Sequence, residues 1–529
     1  MKQSARFCVV GSGVAGGIVA RGLLDASLGD VVMVEAGDRM LMRDPRIWHD
    51  VVMARRSPFK SARIDRTEYD ASGGGHYDLT ASMLRARGGS TLHWDGWAFR
   101  LKPEDFALAT HAGLGADWPI GYDDLEAHYA SAERTLQVAG EAADPGHPPR
   151  LGPFPLPAFP FQESDGAFLR GMDSLGYGVQ HTCIARNTAA VNGMPPCQTI
   201  GTCIYCPIGG RFTGDQLIDR LEANGELELR TRTTAVRLLL DSKERVRAVE
   251  LFDQATARSY ELEVEYVIVC SNAIYTPALL LSSTSSWWPT GVGNHGDAVG
   301  RHLHNHIGVT GVAVQESNPT HSLNELVYIE TAMSRHFDTG LEQRTGKFQL
   351  QHGLRYESDS RAPSGPLTAL MLEGRSSSEI QRELSGHVYR ALVAMVEQVP
   401  DPDNRVTLGG GSDQVGRARV SIAYDFGQRA HESLARARGR CEEIMAAMRC
   451  RLVTWLPPAH YAHHMGTCRM SASPDGGVVD EDLRVHGLQN LYLCGSAVFP
   501  SGGAAQPTLT IAALAHRLAD HLQSTIGPR

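Results

Sequence analysis

Three glycines near the start of the sequence are spaced as in a loop that binds a dinucleotide. Gly11, Gly13 and Gly16 form a Gly-x-Gly-x-x-Gly motif. In such a motif the first glycine permits a tight turn, the second lets the backbone approach a phosphate, and the third lets a helix pack on a strand. Glu35 stands where a carboxylate could accept hydrogen bonds from ribose hydroxyls. The motif predicts dinucleotide binding but does not separate FAD from NAD.

Three cysteines lie close together in the middle of the sequence. The spacing is Cys197-x5-Cys203-x2-Cys206, Pro207 follows Cys206 directly, and the 529 residues contain ten cysteines in all. That number does not indicate a disulfide scaffold, so the spacing points to metal ligands. Three thiolates suit a [3Fe–4S] cluster, whereas structural zinc normally takes a fourth ligand. Buried or free thiols without a metal are the alternative to both.

The elements that must position these residues follow from the apolar pattern. Continuous apolar runs at residues 7–10, 31–34, 266–270 and 491–493 predict buried strands. A helix is predicted directly after the glycine turn, and another begins at Pro507, because proline is favourable in a first helical turn. Strands alternating with helices predict an α/β fold.

Several segments resemble the signatures of the GMC (glucose–methanol–choline) oxidoreductase family. Residues 463–470 read His-His-Met-Gly-Thr-Cys-Arg-Met, residues 490–500 read Asn-Leu-Tyr-Leu-Cys-Gly-Ser-Ala-Val-Phe-Pro, and residues 506–510 read Gln-Pro-Thr-Leu-Thr. Residues 88–94, 273–281 and 300–306 are similar to further family motifs. The resemblance implies a Rossmann-like FAD-binding lobe with an inserted substrate lobe built on an antiparallel sheet, α+β over the whole chain.

The resemblance also implies how the chain is divided between the two lobes. Residues 1–105, 205–305 and 455–529 are expected to form the FAD-binding domain. Residues 106–204 and 306–454 are expected to form the substrate domain, with a cysteine-rich loop at residues 183–210.

The implied reaction is the transfer of a hydride from an alcohol carbon to flavin N5. By the family spacing, His463 is the base that takes the hydroxyl proton. Gln506 stands where the family usually has Asn or His; it can donate a hydrogen bond to a substrate oxygen but cannot act as a base. His93 matches a position that carries a covalent flavin bond in some members and only packs beside the ring in others. The residues implied in cofactor binding are Gly11, Gly13, Gly16, Glu35, Gly89, His93, Val236, Gly495, Pro507 and Thr508.

The helix that begins at Pro507 is expected to direct its N-terminus at the flavin. Its free N–H groups would stabilise the negative charge that a flavin gains on reduction.

The cysteine-rich loop resembles the cluster-bearing loop of bacterial FAD-dependent sugar dehydrogenases, with Gln198 in place of one cysteine. This resemblance implies a sugar or glycoside dehydrogenase that passes electrons to an external carrier, with a small subunit and/or a cytochrome c as partner. The alternative is a sugar oxidase similar to pyranose oxidases, which reduces O₂ to H₂O₂. Two hypotheses from other functional classes are an NAD-dependent dehydrogenase and a catalytically inactive flavoprotein that serves as a binding subunit.

Net charge and the lengths of apolar runs restrict the kinds of partner that we expect. A formal net charge of −9 gives no basic stripe for nucleic acid, and no apolar run is long enough for a transmembrane helix. No signal peptide precedes the first strand, which favours the cytoplasm, although an exported partner subunit could carry the protein to the periplasm. Polar residues at 349, 351 and 352 fit either a sugar site or a solvated sheet face.

Overall fold

The structure is a computed structural model that describes residues 3–53, 57–75, 77–198, 205–225, 227–316, 331–338, 346–355, 371–380 and 387–527. Its main helices, in chain order, are α1 Val14–Asp25, α2 Pro45–Met53, α3 Leu108–Ala112, α4 Tyr122–Leu136, α5 Gly166–Ser174, α6 Gly214–Ala223, α7 Asn272–Ser282, α8 Gln428–Ala447 and α9 Thr508–Thr525. Its strands are β1 Ser4–Val10, β2 Val31–Val34, β3 Tyr69–Ser72, β4 Ala139–Gly140, β5 Leu156–Pro157, β6 Gln180–His181, β7 Leu227–Arg230, β8 Thr233–Ser242, β9 Arg245–Asp253, β10 Arg258–Val269, β11 His306–Glu316, β12 Ala332–Ser334, β13 Phe348–Arg355, β14 His387–Glu397, β15 Arg405–Ser412, β16 Ala418–Ala423, β17 Arg451–Trp455, β18 Ala459–His460 and β19 Leu491–Leu493.

The first sheet has a parallel core. Its order is β7-β2-β1-β10, with β19 pairing the end of β10 and with β9 and β8 continuing antiparallel from the start of β10. The four residues of β2 and the last six of β1 are buried. A strand covered on both faces needs a continuous apolar run. Such runs therefore allowed these strands to be predicted from the sequence.

Helices from the two ends of the sequence cover this sheet together. A Cβ added at Gly22 in α1 would lie 2.5 Å from Cβ of Ala519 in α9, so glycine is needed for the two helices to approach this closely. On its other side α9 meets α4, where the Tyr129 hydroxyl and Thr510 Oγ1 form a buried hydrogen bond of 2.8 Å.

The second sheet is antiparallel and follows the order β17-β11-β14-β13-β12-β6, with β18 also pairing β11. Apolar residues of α5 and α8 pack with its strands in one core, which holds Phe348 and Leu350. The alternate residues face away from these helices. Among them Thr310, Val393 and Gln351 form a row across β11, β14 and β13.

A third sheet joins β15, β16 and β3. It packs with the first half of α7 around Ile274 and Tyr275. The parallel-cored first sheet and the antiparallel second sheet confirm the predicted α/β fold with its second lobe. The domain boundaries stay a prediction, and β18 extends the second sheet as far as His460.

Candidate active site

One cavity of about 960 Å³ lies between the first and second sheets. On one side it is lined by residues at the carboxyl ends of parallel strands, which include Val10, Val34 and Cys494; ligands of α/β sheets bind at this edge. Thr310 and Gln351 of the second sheet line the other side. The predicted site residues that line this cavity are Gly11, Gly13, Glu35, Gly89, His93, Val236, His463, Gly495, Gln506, Pro507 and Thr508.

Each glycine of the first motif has a different physical reason to be glycine. Gly11 has a φ of +103°, and a Cβ there would lie 2.6 Å from the carbonyl oxygen of Cys270. Gly16 does not line the cavity; its Cβ would lie 2.0 Å from the carbonyl oxygen of Gly11, so it allows α1 to pack on β1. At Gly13, by contrast, no atom of the described residues lies within 4 Å of an added Cβ. Gly13 therefore faces open space at the helix N-terminus.

This open space fits the pyrophosphate end of FAD. Gly13 is the N-cap of α1, whose first turn carries no acidic side chain, so free N–H groups and a partial positive charge face the cavity. Gly495 is also open, because no described atom lies within 4 Å of its added Cβ. These two glycines form a cradle that side chains would fill.

The neighbouring residues fit the adenosine part of FAD. The Glu35 carboxylate is buried and accepts hydrogen bonds from the backbone N–H groups of Ser12 at 3.1 Å and Gly37 at 2.8 Å. Its position at the end of β2 leaves it at the cavity wall. Val236 lies where the register of β8 shifts, a bulge that re-aims the chain towards the cavity.

The segment that holds Gly89 and His93 is fixed by two buried arginines. Arg186 donates from Nη2 to the carbonyl oxygen of Asp95 at 2.8 Å, and Arg211 donates to those of Leu92, at 2.7 Å, and Trp94. Burial, with the charge of Arg211, lowers the pKa of His93 to about 4, so its imidazole is neutral at pH 7. Nothing in the sequence signals this role of either arginine, because each bonds to backbone carbonyl groups that are distant along the chain.

The N-terminus of α9 lies at the cavity, with Pro507 as N-cap and Thr508 as first helical residue. Thr510 is buried one turn further in, and its hydroxyl bonds to Tyr129 rather than lining the cavity. The helix dipole thus acts on the cavity through the backbone at Pro507 and Thr508.

His463 lines the cavity and is bonded to a second histidine. Its Nδ1 lies 2.8 Å from Nδ1 of His306, whose Nε2 lies 2.8 Å from the carbonyl oxygen of Gly503. Asn305 Oδ1 accepts the backbone N–H groups of both His306, at 3.0 Å, and His463, at 2.9 Å. Burial and the neighbouring histidines hold the pKa of His463 well below its usual range.

The adjacent His464 has a structural environment. Its Nδ1 bonds to the Tyr77 hydroxyl, and its Nε2 lies 3.2 Å from Ser82 Oγ. Both ring nitrogens of His464 therefore have partners, whereas the ring of His463 forms its one reported hydrogen bond within the described residues through Nδ1. Asn305 and His306 were recognised in the sequence only as parts of a motif, and nothing in the sequence pointed to Gly503.

Gln506 and the row on the second sheet supply the polar groups opposite the histidine. Oε1 of Gln506 is buried without a hydrogen-bond partner among the described residues. Gln351 is 7% exposed and lines the cavity, whereas His352 is 1% exposed and bonds to Asp165 at 3.0 Å. The reading of this strand as a solvated face is wrong.

The two predicted metal ligands that the structure describes, Cys197 and Cys206, are not among the residues that line the cavity. Both of these cysteines are half-buried, and Cys203 lies outside the described residues. A Cβ added at Gly210 would lie 3.0 Å from Cα of Cys197, so the two arms of the loop touch there. Within the described ranges, no group of three His, Cys, Asp or Glu side chains is arranged to hold a metal ion.

Comparison with known proteins identifies the family. The sequence profile of the GMC oxidoreductases matches residues 160–308 and 400–515, together half of the chain. The 6'''-hydroxyparomomycin C oxidase of Streptomyces lividus is 31% identical over 97% of this chain and 91% of its own length. The chain is a GMC oxidoreductase.

Other relatives agree with this assignment. The fructose dehydrogenase large subunit of Gluconobacter japonicus is 27% identical to this GMC oxidoreductase over 98% of the chain and 97% of its own length. The crystal structure of pyridoxine 4-oxidase from Mesorbium loti superposes with a TM-score of 0.66 at 20% identity, covering 98% of this chain and 99% of its own, which shows the shared fold.

Family membership settles the class of chemistry. This GMC oxidoreductase is a flavoenzyme that uses FAD to oxidise a CH–OH group. None of the helices in the described ranges has the length and apolarity needed to cross a membrane.

Proposed function

We propose that this GMC oxidoreductase oxidises a hydroxyl-bearing carbon of a sugar or glycoside, with His463 as the base. One observation carries the proposal: a single cavity joins the glycine cradle, His463, Gln506 and a buried polar sheet face. A cofactor at the cradle and a substrate on the sheet face would therefore meet beside His463. When bound, FAD supplies the hydride acceptor.

Residues of the chain take the proton, bind the substrate and supply positive charge at the cavity. His463 is neutral at pH 7, because burial lowers its pKa, so it can take the hydroxyl proton. Oε1 of Gln506 is buried without a hydrogen-bond partner among the described residues, so it can accept a hydrogen bond from a substrate hydroxyl at little desolvation cost. The N-terminus of α9 adds a fixed partial positive charge at Pro507 and Thr508.

The walls of the cavity favour a polyhydroxylated substrate. Thr310 and Gln351 offer a hydroxyl and an amide, while Trp94, Trp97 and Tyr461 supply aromatic surface. Pockets that combine apolar walls with a few fixed polar groups orient small ligands through those groups. Two relatives carry names that point the same way, a fructose dehydrogenase subunit and a hydroxyparomomycin oxidase.

The test is His463→Asn in the FAD-loaded enzyme, assayed with a panel of sugars, aminoglycosides and simple alcohols and a dye acceptor. Loss of the base should lower kcat by about 10²- to 10⁴-fold with FAD content unchanged. His49→Asn is the matched control, because His49 lies on the exposed side of α2. Turnover that survives His463→Asn, or a preference for simple alcohols over every sugar, would refute the proposal.

For the second half-reaction we propose a dehydrogenase with a [3Fe–4S] cluster on the loop at residues 183–210, serving an external carrier such as a cytochrome c, with a small subunit as partner. The spacing of Cys197, Cys203 and Cys206 supports this. The related fructose dehydrogenase protein is named a large subunit, which is consistent with a further chain. An anaerobic EPR spectrum without a cluster signal, together with rapid H₂O₂ formation in air, would favour the sugar oxidase instead.

A further inference from the structure

His306 is fixed between the predicted base and a backbone carbonyl. The carbonyl oxygen of Gly503 can only accept, so the proton of this 2.8 Å bond must stand on Nε2 of His306. His306 is the first residue of β11 and is fully buried, and this burial lowers the pKa of its imidazole to about 4. At neutral pH the His306 ring therefore carries one N–H proton, on Nε2, and its Nδ1 has a lone pair that can accept a hydrogen bond.

The state of His463 follows from that lone pair. The two Nδ1 atoms lie 2.8 Å apart, a hydrogen-bond distance, and one of them must donate. Since Nδ1 of His306 has no proton, Nδ1 of His463 carries it. A neutral His463 then has an unprotonated Nε2, the nitrogen that does not bond to His306.

We propose that His306 is a positioning residue that selects the Nδ1–H tautomer of His463 and so presents the Nε2 lone pair of His463 to the substrate hydroxyl. The inference rests on the proposed function of His463 as the base. In the step it supports, the substrate O–H bond breaks and an N–H bond forms at Nε2 of His463. The resulting imidazolium keeps its Nδ1–H bond to neutral His306.

The backbone around the pair holds both rings in place. Asn305 Oδ1 accepts the N–H groups of His306 and His463, so one amide oxygen ties β11 to the 463–466 segment. Glu397 and Lys347 share the cross-strand row of His306 on the second sheet. The ionisable groups around the two rings are Asp105, Asp338, Lys347, Glu397, His304, His460 and His464.

Three substitutions separate this role from simple packing. His306→Asn can place an amide oxygen at the position of Nδ1, where it accepts from His463 without reaching Gly503. His306→Gln reaches the position of Nε2 instead, and His306→Leu offers no acceptor. We expect kcat of the leucine and glutamine variants to fall by about 10- to 10²-fold, and kcat of the asparagine variant to recover to within about threefold of the wild type. KM should change little.

His304→Leu is the matched control, because His304 is fully buried two residues earlier and its Nδ1 bonds to the carbonyl oxygen of His302 rather than to His463. Flavin absorbance of each purified holoenzyme reports folding and FAD content. A kcat loss in His304→Leu equal to that in His306→Leu would assign the effect to packing and overturn the inference. Equal losses in all three His306 variants would do the same.

The protonated nitrogen of His463 can also be identified in the unsubstituted holoenzyme, without relying on the activity of a variant. Ring-¹⁵N-histidine NMR, with the His463 signals identified by their absence in His463→Asn, reports directly which nitrogen carries the proton. Protonation at Nδ1 supports the inference, and protonation at Nε2 overturns it. The proposed function fails separately, if His463→Asn retains turnover. If that variant is inactive while His306→Leu has normal kcat, only the inference about His306 is wrong.

Discussion

Substituting alanine at two glycines of the first motif should separate cofactor binding from folding. Gly13 has φ −69° and ψ −172°, an extended conformation that alanine adopts freely, and no described atom lies within 4 Å of the added methyl. Gly13→Ala should therefore fold with nearly wild-type stability of the FAD-free protein. Alanine restricts the unfolded chain by about 0.4–1 kcal/mol, but it is a poorer N-cap residue than glycine by a similar amount. The methyl would occupy the space in which a phosphate approaches the N-terminus of α1.

The loss of affinity follows from the hydrogen bonds that this approach allows. A hydrogen bond to a charged group contributes about 1.5–3 kcal/mol, and each 1.4 kcal/mol is tenfold in the dissociation constant. Losing one such bond should weaken FAD binding by about 10- to 100-fold. Gly16→Ala is the contrasting variant, because its methyl would lie 2.0 Å from the carbonyl oxygen of Gly11 and force α1 away from β1.

The assay is titration of FAD-free protein by flavin fluorescence, with thermal unfolding of the same samples. We expect Gly13→Ala to bind FAD weakly and melt near the wild-type temperature, and Gly16→Ala to melt well below it. If Gly13→Ala binds FAD as tightly as the wild type, the cradle has been placed wrongly. If it melts as low as Gly16→Ala, the reasoning about open space is wrong.

Three further outcomes are expected. Asn305→Ala leaves one buried and one partly buried N–H group without their acceptor and should cost about 2–4 kcal/mol, lowering the chemical denaturation midpoint. Asn305→Asp, which keeps an acceptor oxygen, should lose less. Tyr129→Phe removes the bond to Thr510 and should cost about 1 kcal/mol with kcat unchanged, as unfolding and steady-state assays would show. Burial lowers the pKa of His304 to about 3 and of His306 to about 4. In the unfolded chain these imidazoles take up a proton near pH 6.5, whereas in the folded protein they do so only at the lower pH. The free energy of unfolding should therefore fall as pH decreases from 6.5 towards 4, by up to about 3 kcal/mol for His306. Melting temperatures that stay level over that range would contradict this.

Much of the fold followed from the sequence because apolar runs and turn chemistry are local signals. The strands at residues 7–10, 31–34 and 491–493 were predicted, and β10 proved longer than the run at 266–270 because its first half pairs with β9 outside the fully covered region. The helix after Gln506 begins one residue later than predicted, with Pro507 as its N-cap.

The candidate site could be predicted only as far as its motifs reach. His463 and Gln506 were found because a long motif surrounds them. The bond from His306 to Gly503 joins residues 197 positions apart, and a carbonyl oxygen has no sequence signature. Gln351 was ambiguous for another reason: alternation identifies a polar face, but only tertiary packing decides whether that face meets water or a cavity.

The pairing of α1 with α9 has a consequence for how the enzyme acquires its cofactor. Gly13 and Pro507 line the same cavity, yet they lie near opposite ends of the sequence. During synthesis the nucleotide loop leaves the ribosome long before the residues around Pro507, which line the other side of the cavity. FAD can therefore be fully enclosed only after the segment around Pro507 has been synthesised. A chain that stops before residue 507 would present β1 and α1 with an exposed apolar surface, which makes such a fragment a substrate for chaperones and proteases rather than a flavoprotein.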